Sequence, residues 1–207
     1  EMLAGDELAP EDPDTLRATG YLVRNYKMLS REKWLQDTVD HTAQAFLGVT
    51  MACARCHDHM YDLISQKEYY ELRAIFEPHQ VRLDRVPGQA DTVKDGLARV
   101  YDADVAVKTF LYTRGDESTP EKDRPLSPGV PAAFGGSLKI ERVQLPLSAF
   151  APDKRAFVRE ETRTASERSI EEASNRLKTA QGNLQAAELG LSNAAALLQK
   201  LESAPEG

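Results

Sequence analysis

Residues 30–76 read SREKWLQDTVDHTAQAFLGVTMACARCHDHMYDLISQKEYYELRAIF, and within them Cys53-Ala54-Arg55-Cys56-His57 forms a CxxCH motif. The spacing has a chemical reason. Two thiols three positions apart on a helical turn can each form a thioether to one porphyrin vinyl group, and the adjacent imidazole can ligate the iron. These are the only two cysteines in the chain, so no thiol is left for a disulfide framework. Before the motif, Trp34, Leu35, Val39, Ala43, Phe46, Leu47 and Val49 recur at helical spacing behind Ser30 as N-cap. After it, Ser65 and Glu68 make a capping box for a helix carrying Tyr69, Leu72, Ile75 and Phe76, which Pro78 stops. An earlier helix begins at Asp12-Pro13 and carries Leu16, Tyr21, Leu22 and Val23. Residues 1–78 are therefore expected to be a small helical c-type haem module.

Working outward, residues 79–151 change character. Apolar and polar residues partly alternate over Val105 to Tyr112, which predicts a strand, and Leu138 to Leu145 reads as another. Pro120, Pro125, Pro128 and Pro131 make the segment between them a long loop. From about Pro152 to residue 207 the chain reads as one long helix. Ile170, Leu177, Leu184, Leu191 and Leu198 recur every seven residues, with Ala173, Ala180, Ala187, Ala194 and Leu201 on the alternate seam. That is the a/d pattern of a coiled coil. Gly182 and Gly190 fall off the seam and cost about 1 kcal/mol each against alanine, so a partner helix is implied. The fold class expected is mainly α, with a few strands in a loop-rich middle.

The motif has three open uses. Haem attachment is one, with His57 as proximal iron ligand. Zinc is the second, with His59 or a more distant histidine completing the ligands, although no second CxxC exists. A thioredoxin-like dithiol is the third, but it requires a βαβ context that helical flanks do not offer. Arg55 suits a haem propionate, with a merely solvated arginine as the plain alternative. His59 lies two residues beyond the proximal ligand and is assigned a pocket or propionate contact, against a surface histidine. Met28, Met51, Met60, His41 and His79 are the soft or imidazole donors available as sixth ligand, and His79 is the distal candidate carried forward. Met51 and Met60 are expected to pack as core or face away.

Bulk composition excludes some classes. The formal charge of −7 and a pI near 5.2 leave no basic stripe to neutralise nucleic-acid phosphates. No apolar run approaches transmembrane length. The carboxylates and arginines of Arg114-Gly115-Asp116 and Asp123-Arg124 have no spacing diagnostic of a hydrolase, and Gly135-Gly136 reads as a turn. The chain opens at Glu1 and stops within a helical pattern, so it reads as a piece of a longer protein.

The stretch AFLGVTMACARCHDHMYDLISQKEYYELRAIF resembles the cytochrome-c-like domain of large secreted planctomycete proteins. The later TFLYTRGDESTPEKDRPLSPGVPAAFGG is similar to a second segment of those proteins, and the heptads to a coiled-coil linker some of them carry. The family run usually reads CHDHK, then Phe or Tyr, Asp, Pro and Ile. Here Met60 stands for the lysine, Leu63 for the proline, and His41 sits where threonine is more usual. The resemblance implies haem c bonded to Cys53 and Cys56, ligated by His57, in an exported protein of the periplasm or cell surface. The expected function is electron transfer with a redox partner protein or an adjacent domain of the parent chain. The alternatives are a structural or interaction module with a non-catalytic haem or zinc site, and a haem peroxidase-like enzyme with an open sixth position.

Overall fold

The computed structural model describes residues 1–24, 26, 30–135, 138–141 and 143–202. Residues 1–155 form one compact unit and residues 156–207 a second. The fold is mainly α, with a two-stranded sheet and connecting loops.

The first unit starts with short helices α1 (Gly5–Leu8), α2 (Pro13–Ala18) and α3 (Gly20–Val23). Asp12 caps α2 as its sequence predicts, its carboxylate accepting from the backbone of Asp14 and Thr15, with Pro13 in the first turn, but the single helix expected through Val23 breaks at Thr19 into α2 and α3. Helix α4 (Arg31–Thr42) begins where Ser30 accepts from the Lys33 N–H. It runs into a π-turn over Ala43–Leu47 and ends at Gly48, whose φ of 69° only glycine adopts cheaply. Helix α5 (Gln66–Phe76) carries the full capping box: Ser65 accepts from the Glu68 N–H, and Glu68 accepts from the Ser65 N–H at 2.7 Å.

Between and around these helices lies the core. Trp34, Leu35 and Val39 of α4 meet Tyr69, Tyr70, Leu72 and Phe76 of α5, with Leu22 of α3, Met51, Ala54, Ile64 and Val100. Burying each large apolar side chain contributes roughly 1.5–3 kcal/mol. Trp34 sits 1 % exposed and donates its indole N–H to the Leu22 carbonyl at 2.7 Å. That bond fixes α3 against α4.

The sheet is an antiparallel pair, β1 (His79–Asp84) and β2 (Leu97–Asp102), with Val81 opposite Val100. A one-turn helix α6 (Thr92–Asp95) lies between them in sequence. The strands expected over Val105–Tyr112 and Leu138–Leu145 do not form among the described residues. In the first segment only isolated bridges occur, Thr109 to Leu126 and Tyr112 to Pro120. Val105 and Val107 are exposed, so the first half of the alternation has no buried face to serve, while Thr109, Leu111 and Tyr112 reach the core from irregular backbone. The real strands escaped because charge interrupts their pattern. Asp84 is buried and gathers Arg82 at 2.8 Å, Arg155 at 2.7 Å and Arg99 at 3.6 Å. A strand whose inward positions hold an ion cluster shows no apolar alternation.

The first unit closes with α7 (Leu147–Phe150) and a 3₁₀ turn over Pro152–Lys154. The second unit is α8 (Ala156–Glu202), a helix of 47 residues and about 70 Å. Ile170, Leu177, Leu184, Leu191 and Leu198 are 60–76 % exposed along it.

Candidate functional site: the CxxCH turn

The motif occupies a 3₁₀ turn, Ala52–Arg55, held by the N–H of Ala54 on Met51 and the N–H of Cys56 on Cys53. With three residues per turn, side chains at i and i+3 eclipse. Met51 and Ala54 accordingly both point into the core at 0 % exposure, while Cys53 and Cys56 share a different face. Cys53 is exposed and Cys56 half-buried, and both are free thiols. The core residues thus set the orientation of the sulfurs.

His57 is exposed, and its Nδ1 lies 2.6 Å from the Asp58 carbonyl oxygen. A carbonyl only accepts, so Nδ1 is the donor, and in the neutral ring the lone pair then lies on Nε2. A backbone carbonyl on one ring nitrogen is the usual device for presenting the other to a metal. Asp58 also accepts the Gln66 N–H at 2.8 Å, which ties the motif to the first residue of α5.

His59 is placed differently. Its side chain is 4 % exposed, and Nδ1 accepts the N–H groups of Asp62 at 2.9 Å and Tyr61 at 3.3 Å. Nε2 therefore bears the proton and faces Thr50 Oγ1 at 3.4 Å. Both ring nitrogens are engaged in shaping the 59–64 loop. Among the described residues no group of three or more His, Cys, Asp or Glu is placed to hold a metal ion, so a preassembled zinc set around Cys53, Cys56 and His59 is not formed.

The carbonyl of Arg55 accepts from Gln66 Nε2 at 2.9 Å and from the Tyr70 hydroxyl at 3.2 Å. Its half-buried side chain contributes positive potential toward Asp40. Burial pushes that carboxyl up to about 6 despite Lys33, and one of its oxygens is buried without a partner.

The candidate sixth ligands are scattered. Met51 is core, Met60 is 72 % exposed, and His41 is exposed in the last turn of α4. Met28 lies outside the described residues. His79 opens β1 beyond the other end of α5, eleven residues and about 16 Å of helix away from the motif's side. There it stacks edge-on with Phe76, lies 3.5 Å from Asp102, and is pushed down to about 4 by burial. The structure does not bring it to His57.

One partner of the motif went unread in the sequence. A Cβ on Gly115 would stand 2.6 Å from Cys56 Sγ and 3.2 Å from the Arg55 carbonyl oxygen, so the Thr113–Asp116 turn rests on the motif. Gln66 Nε2 also donates to the Tyr112 carbonyl at 3.0 Å and bridges the two segments.

The residues present fit a covalently held haem. Two thiols share a face, one imidazole has a free Nε2, and large apolar side chains flank the motif uncovered: Met60, Tyr61 at 88 %, Leu63 at 90 % and Phe46 at 50 %.

Fold and site together define a mainly α protein with a surface CxxCH turn braced between two core helices. Residues 1–81 match the family model PSCyt2, described as a protein of unknown function (DUF1549), a planctomycete-associated domain. The match holds the CxxCH turn, α5 and the start of β1. No curated protein and no solved structure matches the chain.

Proposed function

We propose that the chain binds haem c covalently and transfers electrons within a larger exported protein, at the periplasm or cell surface. In this reading Cys53 and Cys56 carry the thioethers and His57 Nε2 is the proximal ligand. The observation that carries the reading is the 2.6 Å contact of His57 Nδ1 with the Asp58 carbonyl, beside two thiols on one face of a 3₁₀ turn. A haem bonded there supplies reversible one-electron Fe(III)/Fe(II) chemistry.

The chain's own residues do the positioning. Met51 and Ala54 anchor the turn in the core, and Asp58 orients the imidazole while gripping α5. Exposure of Cys53 and His57 at the surface suits exchange with a docking protein or a neighbouring domain more than work on an enclosed substrate. Expression with haem-maturation machinery, followed by a pyridine haemochrome assay and an optical redox titration, tests the proposal. One haem per chain and a reversible one-electron wave are expected. A colourless chain overturns haem attachment, and peroxide turnover by a five-coordinate ferric form replaces electron transfer with enzymatic chemistry.

A second role rests on α8. Its exposed seam of Ile170, Leu177, Leu184, Leu191 and Leu198 has the spacing by which two helices interlock. We assign it to pairing with a partner helix. Among the described residues no helix is long and apolar enough to cross a membrane.

A further inference from the structure

Fifty-six residues of sequence separate the motif from Arg114-Gly115, yet the fold sets one on the other. Thr113–Asp116 is a turn with the Asp116 N–H on the Thr113 carbonyl at 3.1 Å, and both central residues have positive φ, 53° at Arg114 and 75° at Gly115. That is the type I′ pattern, which favours Gly, Asn or Asp at both positions. Among the described residues Arg114 is the only non-glycine with positive φ. A side chain is held there only where surrounding bonds over-determine the backbone. They do: Gly115 N–H and Gln66 Nε2 both donate to the Tyr112 carbonyl, and Thr113 N–H donates to Thr119.

Two consequences follow at the motif. Gly115 lets the backbone settle against Cys56 Sγ, where any Cβ would intrude to 2.6 Å. Arg114, the residue before the glycine that rests on Cys56, is left exposed, and its guanidinium has no hydrogen bond or ion pair among the described residues. A free guanidinium in a fixed turn next to an attachment sulfur is a fork for a carboxylate.

We infer that the Arg114–Gly115 turn is the second half of the attachment site: Gly115 seats the turn on Cys56, and Arg114 binds a carboxylate of the porphyrin bonded there. The inference rests on the haem reading, and it makes the two sulfurs unequal. Cys53 is open to reagent while Cys56 is sheltered.

Two measurements on the full chain test it. In the haem-free, reduced protein, iodoacetamide labelling followed by peptide mass mapping should show Cys56 reacting severalfold more slowly than Cys53. Gly115→Ala should displace the turn and raise the Cys56 rate toward that of Cys53. Equal rates in the unaltered chain overturn the seating, whether or not the variant folds. In the haem-loaded protein, Arg114→Gln should lower the midpoint potential at unchanged haem content, because an uncompensated propionate favours ferric iron, and Arg114→Lys should restore most of the shift. An unshifted potential on a loaded chain overturns the role of Arg114 alone. Absence of haem from the unaltered chain overturns the proposed function and Arg114's carboxylate with it, while the labelling rates still decide the turn.

Discussion

The guanidinium of Arg73 forks onto the carboxylate of Glu32, 41 residues earlier, with Nη2 2.8 Å from Oε2. Arg73 is 2 % exposed on α5, and Glu32 lies in the first turn of α4, so the pair clamps together the two helices that bracket the CxxCH turn. Glu77 adds a contact at 3.0 Å, and the Tyr112 ring stacks beneath the guanidinium at 5.0 Å. Arg73→Met should strand two carboxylates and cost about 3–5 kcal/mol. Urea unfolding followed by Trp34 fluorescence checks this. Pairing it with Glu32→Met should recover much of the loss, and a double variant as unstable as the single would contradict the coupling.

Asp40 gives a pH signature. Burial holds its carboxyl protonated up to about pH 6, against an ordinary value of 3.8 in the unfolded chain. The stability tied to the protonated form is present below about pH 4 and is lost as pH rises through about 6. Asp40→Asn should therefore exceed the parent by about 1–3 kcal/mol at pH 7.5 and converge with it near pH 4. His79, pushed down to about 4, acts in the opposite sense, adding stability as pH rises from 4 toward 6.5. It is common to both proteins and cancels in the comparison. A variant weaker than the parent at pH 7.5 would contradict the assignment.

The cap of α5 is testable by itself. Ser65→Ala removes the hydroxyl that accepts the Glu68 N–H and should cost about 1 kcal/mol. Glu68→Gln should cost less, because an amide oxygen can still accept from Ser65. Thermal melts by circular dichroism would show the order, and equal melting points for the parent and Ser65→Ala would contradict it.

Assembly through α8 is separable from the haem site. Leu184→Glu with Leu191→Glu should weaken helix pairing, measured by sedimentation velocity at several protein concentrations, and leave haem content unchanged. Loss of haem in that variant would contradict the division of roles between the two units.

Much of this was legible from residue patterns. The caps at Asp12, Ser30 and Ser65 are local hydrogen-bond devices, so the sequence places α2, α4 and α5 directly. The heptads likewise announce α8. The strands were hidden because buried Asp84 pairs with half-buried Arg82 and with buried Arg99 and Arg155, a long-range arrangement no period-two pattern reports. His79 drew attention as a free imidazole donor, yet a helix of eleven residues lies between it and the motif. Gly115 escaped because its partner, Cys56, is distant in sequence.

Intact mass spectrometry of the denatured chain, produced with haem-maturation machinery, tests the central claim most directly. One porphyrin should remain bonded through denaturation, and Cys53→Ala with Cys56→Ala should remove it completely. An unmodified mass with two free thiols in the parent, or a porphyrin retained by the double variant, would contradict attachment at this turn.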